Sequence, residues 1–170
     1  MQIVLIGMMF SGKTTVGQKL SEYLNMQCFD SDKIIESKYG LISTIFTEHG
    51  ESYFRDIEEN TIERVLNSYS NCILSTGGGC IVREKTRENL KKCIVIFLRT
   101  SLQELQKRAL IDNAIDTQRP LLQQLERLYY ERKNLYDKSA NFIVDTDKKT
   151  IEDVAKEIKK IIEEIICQQY

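Results

Sequence analysis

The chain has 170 residues, with 24 lysines and arginines against 25 aspartates and glutamates and a net charge near −1. Such a balance supplies no general field to recruit nucleic acid or an anionic membrane, and no run approaches the roughly twenty apolar residues of a membrane span. The length predicts a single domain over 1–170, large enough to bury roughly two-thirds of its unfolded surface.

Met1-Gln2 leads straight into an apolar run, without the basic flank or cleavage site of a secretory signal, so a cytoplasmic protein is expected. Five cysteines, odd in number and without C-x-x-C spacing, read as reduced thiols, and only Cys80 stands beside a functional-looking segment. The single histidine, His49, precedes Gly50 at the end of a helical pattern, where a helix C-terminus suits it. Histidine triads and multi-histidine metal sites are excluded, and any general base is a carboxylate.

In chain order, an apolar strand over 2–6 runs into Gly7-Met8-Met9-Phe10-Ser11-Gly12-Lys13-Thr14, a complete G-x-x-x-x-G-K-[ST] loop. A helix over 13–24 follows, so the strand–loop–helix context that this motif requires is present. The loop predicts a bound nucleoside triphosphate, with Lys13 reaching the outer phosphates and the Thr14 hydroxyl binding magnesium. A second strand over 26–29 ends at Asp30-Ser31-Asp32. On a strand or its fraying end the two aspartates share a side. One would hold the metal's water shell while the other accepts a proton from an acceptor hydroxyl; the alternative is an ordinary helix N-cap.

Helical periodicities at 31–48 and 51–68 precede a third strand, 72–76, which ends in Gly77-Gly78-Gly79. Three glycines allow close backbone approach and positive φ angles. No acidic residue ends this strand, so Ser75 or a carboxylate of the second strand must support the magnesium. A helix over 84–91, a strand over 93–98 and a helix over 101–110 lead to a polar, aperiodic stretch that ends at Arg119-Pro120. This stretch, about 109–119, is the expected lid, and Pro120 suits the first turn of the helix over 120–137. A strand over 141–145 and a helix over 150–167 complete the chain.

Strands of four to six residues alternating with helices imply an α/β fold, a five-stranded parallel sheet in a three-layer αβα sandwich, with any ligand along the C-terminal strand edge. A GTPase reading fails, because neither an Asn-Lys-x-Asp pocket nor an Asp-x-x-Gly switch is present. Phosphoryl transfer to a small molecule remains. Arg55 follows Phe54 with Glu58 one turn on, Arg132 precedes Leu135-Tyr136, and Arg119 closes the lid, where a planar fork suits a transferring phosphoryl group.

The order of motifs resembles the shikimate kinase family along nearly the whole chain. It comprises the phosphate loop, Asp30-Ser31-Asp32, Gly50-Glu51 with Phe54-Arg55 and Glu58, Ser75 to Gly79, Arg119-Pro120-Leu121-Leu122, and Arg132 with Tyr136. The resemblance implies a P-loop kinase fold of the nucleoside-monophosphate-kinase type, with substrate-binding helices at about 31–62. It implies ATP- and magnesium-dependent phosphorylation of the 3-hydroxyl of shikimate by a monomeric enzyme of aromatic amino-acid biosynthesis. By the same resemblance, Asp32 binds the substrate hydroxyls as base, Arg55 and Arg132 hold the carboxylate, and Gly78 contacts shikimate. Lys13 and Arg119 bind phosphate, Thr14 is the magnesium ligand, and Phe10, Ser11, Gly12 and Thr15 join them around the nucleotide.

Three departures stand out. Phe10 occupies a position that is usually glycine, where a positive φ would be strained. The stretch from Arg108 to Arg119 is slightly long, which blurs whether Arg108 reaches the adenine, and Lys149 stands where some members have an adenine-side arginine. The rival readings are another small-molecule kinase of this fold, for gluconate or a nucleoside monophosphate, and a non-catalytic sensor that kept the pocket.

Overall fold

Five strands, β1 (Gln2–Ile6), β2 (Gln27–Asp30), β3 (Cys72–Ser75), β4 (Ile94–Arg99) and β5 (Phe142–Asp145), form one parallel sheet in the order β2-β3-β1-β4-β5. The computed structural model describes residues 1–111 and 119–168, with the side chains of 119–123 left undescribed. Most of the expected lid, and the Arg119 side chain, therefore lie outside the described residues. The strands fall within a residue or so of the expected runs, because each is a short apolar stretch flanked by clear breaks.

Alternation along the strands sorts the core into two layers. Ile3 and Leu5 of β1 and Ile73 of β3 pack with α1 (Lys13–Leu24) and α7 (Ile151–Cys167). Val4, Ile6 and Leu74 face the other way, toward α3 (Ile42–Ser68), α4 (Glu84–Leu90), α5 (Leu102–Ile111) and α6 (Arg119–Ser139). Both sheet faces are covered, as parallel sheets require. No described helix is long and apolar enough to cross a membrane.

One expected helix is two. The pattern over 31–48 breaks at Gly40, whose φ of 88° lies outside the helical region, giving α2 (Ser31–Tyr39) and then α3. A glycine inside a helical pattern is tolerated at about 1 kcal/mol, so the sequence alone does not mark the break. Gly50, with φ 81° and ψ 172°, kinks α3 where the gap between the two expected helices lay. His49, just before it, is exposed. The two turns let Ile35, Ile45, Phe54 and Ile57 form a small separate core, which holds the start of α2 opposite the middle of α3.

The register aligns the strand ends. Ser75 pairs with Leu5 on one side and with Asp30 on the other, while Ile6 pairs with Phe97. The segments after β1, β2 and β3 thus emerge together at one edge, the usual place for a ligand in such sheets.

Candidate active site

The loop after β1 turns sharply, with the Ser11 N–H donating to the Met8 carbonyl at 3.2 Å. Phe10 and Gly12 take φ 64° and 90°, and α1 begins at Lys13 without a side-chain cap. Its first-turn N–H groups are left for an anion. Lys13 is buried, and its ammonium donates to the Met8 carbonyl at 2.8 Å. Burial pushes the Lys13 pKa down, and the nearby Asp32 charge opposes that shift.

Asp30 and Asp32 divide the two roles that the sequence left open. Asp30 is the cap: its Oδ1 accepts from the N–H groups of Asp32 at 3.0 Å and Lys33 at 3.2 Å, and its Oδ2 accepts the Thr14 hydroxyl at 2.6 Å. Asp32 lies in the first turn of α2, not on a strand, and its carboxylate faces the main cavity. Burial, and then the Asp30 charge, push the Asp32 carboxyl up from its ordinary range, while Lys13 pulls it back.

The glycine triplet has a steric cause. None of Gly77, Gly78 and Gly79 has a positive φ, which corrects that part of the expectation. A Cβ on Gly77 would lie 2.6 Å from Asp32 Oδ1 and from Glu58 Oε1, and one on Gly78 would lie 3.0 Å from the Met9 backbone nitrogen. At Gly79 it would overlap the Arg55 guanidinium. Each glycine clears a different neighbour.

Arg55, buried on α3, donates from Nη1 to Glu58 Oε2 at 2.6 Å and from Nη2 to Glu51 Oε1 at 3.1 Å. Glu58 is 2 % exposed, and its other oxygen, Oε1, has no partner. Burial raises the Glu58 pKa, and Arg55 works against that rise. Arg132, buried on α6, donates to the Gly78 carbonyl at 3.0 Å, and the Tyr136 hydroxyl donates to the same carbonyl. Among the described residues Arg132 has no carboxylate partner.

Asp32, Arg55, Glu58, the three glycines and Arg132 line one cavity of about 550 Å³, with Phe46, Phe54, Leu128 and Leu135 as its apolar wall. Four predicted residues, Asp32, Arg55, Gly78 and Arg132, are thus brought together from four separate segments. A second cavity of about 480 Å³ is lined by Phe10, Ser11, Gly12, Thr15, Arg108, Lys149 and Ile151. Arg108 is held by Glu104 at 3.0 Å and by the Thr146 carbonyl at 2.9 Å, and Lys149 pairs with Glu157 at 2.5 Å. Both cations that the sequence left undecided border this cleft, each already engaged with the protein.

The shikimate kinase family model matches residues 9–163. The chain belongs to the shikimate kinase family. A shikimate kinase of a Sulfurihydrogenibium species is 42% identical over 92% of this chain and 94% of its own length. One from Dictyoglomus turgidum is 38% identical over 90% and 92%. Among solved structures, the shikimate kinase of Acinetobacter baumannii in complex with shikimate superposes with a TM-score of 0.87 at 35% identity, covering 96% of this chain and 93% of that one. The Aquifex aeolicus shikimate kinase gives 0.81 at 34% identity, with 98% and 99% covered.

Three supports of the site in this shikimate kinase family member are not evident from motif reading. Ser31, fully buried, accepts the Gly77 N–H at 3.0 Å and so ties the two cavity-facing turns together. Asp30 holds Thr14, although the sequence offered it only as a cap or a metal partner. Tyr136 props the Gly78 carbonyl; its position four residues after Arg132, on the same helix face, is the one available signal. Cys80 lies behind the glycines, buried, with its thiol donating to Thr76 Oγ1 at 3.2 Å. Burial pushes that thiol up to about 12, which makes it unreactive.

Proposed function

We propose that this shikimate kinase family member transfers the γ-phosphoryl group of ATP to the 3-hydroxyl of shikimate, giving shikimate 3-phosphate and ADP. The carrying observation is a buried arginine pair on the same cavity as the partly desolvated Asp32 carboxylate. Arg55 is ion-paired with Glu58, whereas among the described residues Arg132 makes no direct ion pair and meets the Glu58 charge only at longer range. Two buried cations sharing one buried carboxylate favour an anionic ligand. A small hydroxylated acid satisfies both features: its carboxylate goes to the arginines and a hydroxyl goes to Asp32.

In-line transfer is mostly positioning and charge stabilisation. The loop N–H groups and Lys13 receive the phosphates, with the Lys13 ammonium leaving the Met8 carbonyl to do so. Asp32 orients the acceptor hydroxyl and takes its proton, a task suited to a carboxyl with a raised pKa. Arg119, at the start of α6, adds positive charge at the transferring group.

The residues around Thr14 fit a magnesium ion. Thr14 gives its proton to Asp30, which leaves the hydroxyl lone pairs free, and Ser75 stands beside them, so the donors are all oxygens. When bound, magnesium neutralises the β- and γ-phosphate charge. Among the described residues no cluster of three or more histidine, cysteine or acidic ligands occurs. The cytoplasm as location and a monomeric state complete the proposal. Purified protein with ATP and magnesium should release ADP rapidly only when shikimate is added; equal stimulation by gluconate or a nucleoside monophosphate would reject it.

A further inference from the structure

Phe10 is the phosphate-loop residue that the chemistry above does not use. It occupies the third position of the four-residue turn from Met8 to Ser11, closed by the 3.2 Å bond from the Ser11 N–H to the Met8 carbonyl. Its φ is 64°. A positive φ at that corner belongs to glycine or asparagine, and for a bulky residue it is strained. Strain of this kind persists only where the surroundings over-determine the conformation.

Two sets of contacts do so here. The Phe10 ring is half-buried against the core layer that contains Phe97, Leu105 and Leu125. Arg108, fixed by Glu104 and by the Thr146 carbonyl, brings its Nη1 to 3.5 Å from the carbonyls of both Phe10 and Ser11. The same turn presents the Met8 carbonyl that holds the Lys13 ammonium. Ring, carbonyl and lysine thus fasten one turn from three directions.

We propose that Phe10 is a positioning residue that latches the phosphate loop onto α5 and the core, so that the nucleotide meets a loop already formed. This rests on the reading of the loop as the nucleotide site. A glycine would relax the corner but leave it free to move, so ordering the loop would fall to the binding step. The ring keeps the loop in place at the expense of local torsional strain.

The test is calorimetric titration of the full-length protein with ADP and magnesium, and separately with shikimate, for wild type, Phe10→Gly, Phe10→Asn and Phe10→Tyr. Glycine and asparagine both tolerate the positive φ, so neither variant adds strain. Each should bind ADP roughly fivefold to tenfold more weakly, while shikimate affinity stays within about twofold of wild type. Phe10→Tyr keeps the ring and should bind ADP like wild type. If the glycine and asparagine variants bind ADP as tightly as wild type or tighter, the ring is a strained passenger and the latch is refuted. Loss of shikimate binding in both variants would also overturn it, since the effect would then be on the whole fold. Failure of wild type itself to bind ADP would instead reject the nucleotide site, and the latch with it.

Discussion

Replacing Arg132 by methionine removes a buried positive charge while leaving its local partner satisfied. The Gly78 carbonyl loses the 3.0 Å bond from Arg132 but keeps the one from Tyr136. The methionine fills much of the space of the arginine stem. The lost bond has an ionised donor and is worth about 1.5–3 kcal/mol, so the thermal midpoint should fall by about 3–12 °C. A hydrogen bond from a charged donor to the substrate carboxylate is worth about 1.5–3 kcal/mol, which corresponds to about tenfold to 150-fold in affinity. Coupled ADP-release kinetics, with each substrate varied at a saturating level of the other, should therefore show a rise of that size in the shikimate KM and no change in the ATP KM. A shikimate KM within about threefold of wild type, or an equal rise in both KM values, would refute the assignment of Arg132 to the carboxylate.

Arg55→Met should behave differently, because it strands Glu58, which is 2 % exposed. Leaving a buried charge unpaired costs about 3–5 kcal/mol, or roughly 10 °C in thermal midpoint. Burial raises the Glu58 pKa, so the loss should be largest at neutral pH and shrink as acidification protonates Glu58; Arg55→Met with Glu58→Gln should recover the midpoint but not shikimate binding. Asp32→Asn should depress turnover while sparing ADP affinity. Because the Asp32 pKa is raised in the folded state, its charge destabilises the fold at pH 7; the variant should melt higher than wild type there, with the gain vanishing below the ordinary aspartate pKa, as differential scanning calorimetry would show. Gly79→Ala, at a φ of −108° that alanine adopts freely, should raise the shikimate KM by displacing the Arg55 guanidinium. Unchanged kinetics for that variant would rule out the steric account of the triplet.

Much of this site was legible in the sequence. The strands read correctly because each is a short buried run, and the phosphate loop because strand and helix flank it as the motif demands. The division of labour between Asp30 and Asp32 was legible as an expectation, with Asp30 or Ser31 free to cap and Asp32 left for the substrate by the resemblance, but the residue types alone do not decide it. It depends on where α2 starts, and both residues satisfy the composition rules for a cap. Of the two reasons expected for the glycine triplet, positive φ is absent, while crowding by neighbouring groups is a reason the sequence did not offer. That crowding comes from Arg55, Asp32, Glu58 and the Met9 backbone, which the fold brings in from distant parts of the chain. The break at Gly40 was hidden because apolar spacing continues across it. Phe10 shows the opposite case: the strain expected from its residue type is present, with φ 64°, and only the packing explains why it is tolerated.

The central claim is that the cavity built from Asp32, Arg55, Gly78 and Arg132 presents the 3-hydroxyl of shikimate to ATP. Mass spectrometry and NMR of the product formed from shikimate, ATP and magnesium test it most directly. The account predicts a single added phosphoryl group on the 3-oxygen, formed in step with ADP. Phosphorylation at another hydroxyl, or ADP release without a phosphorylated shikimate, would contradict it.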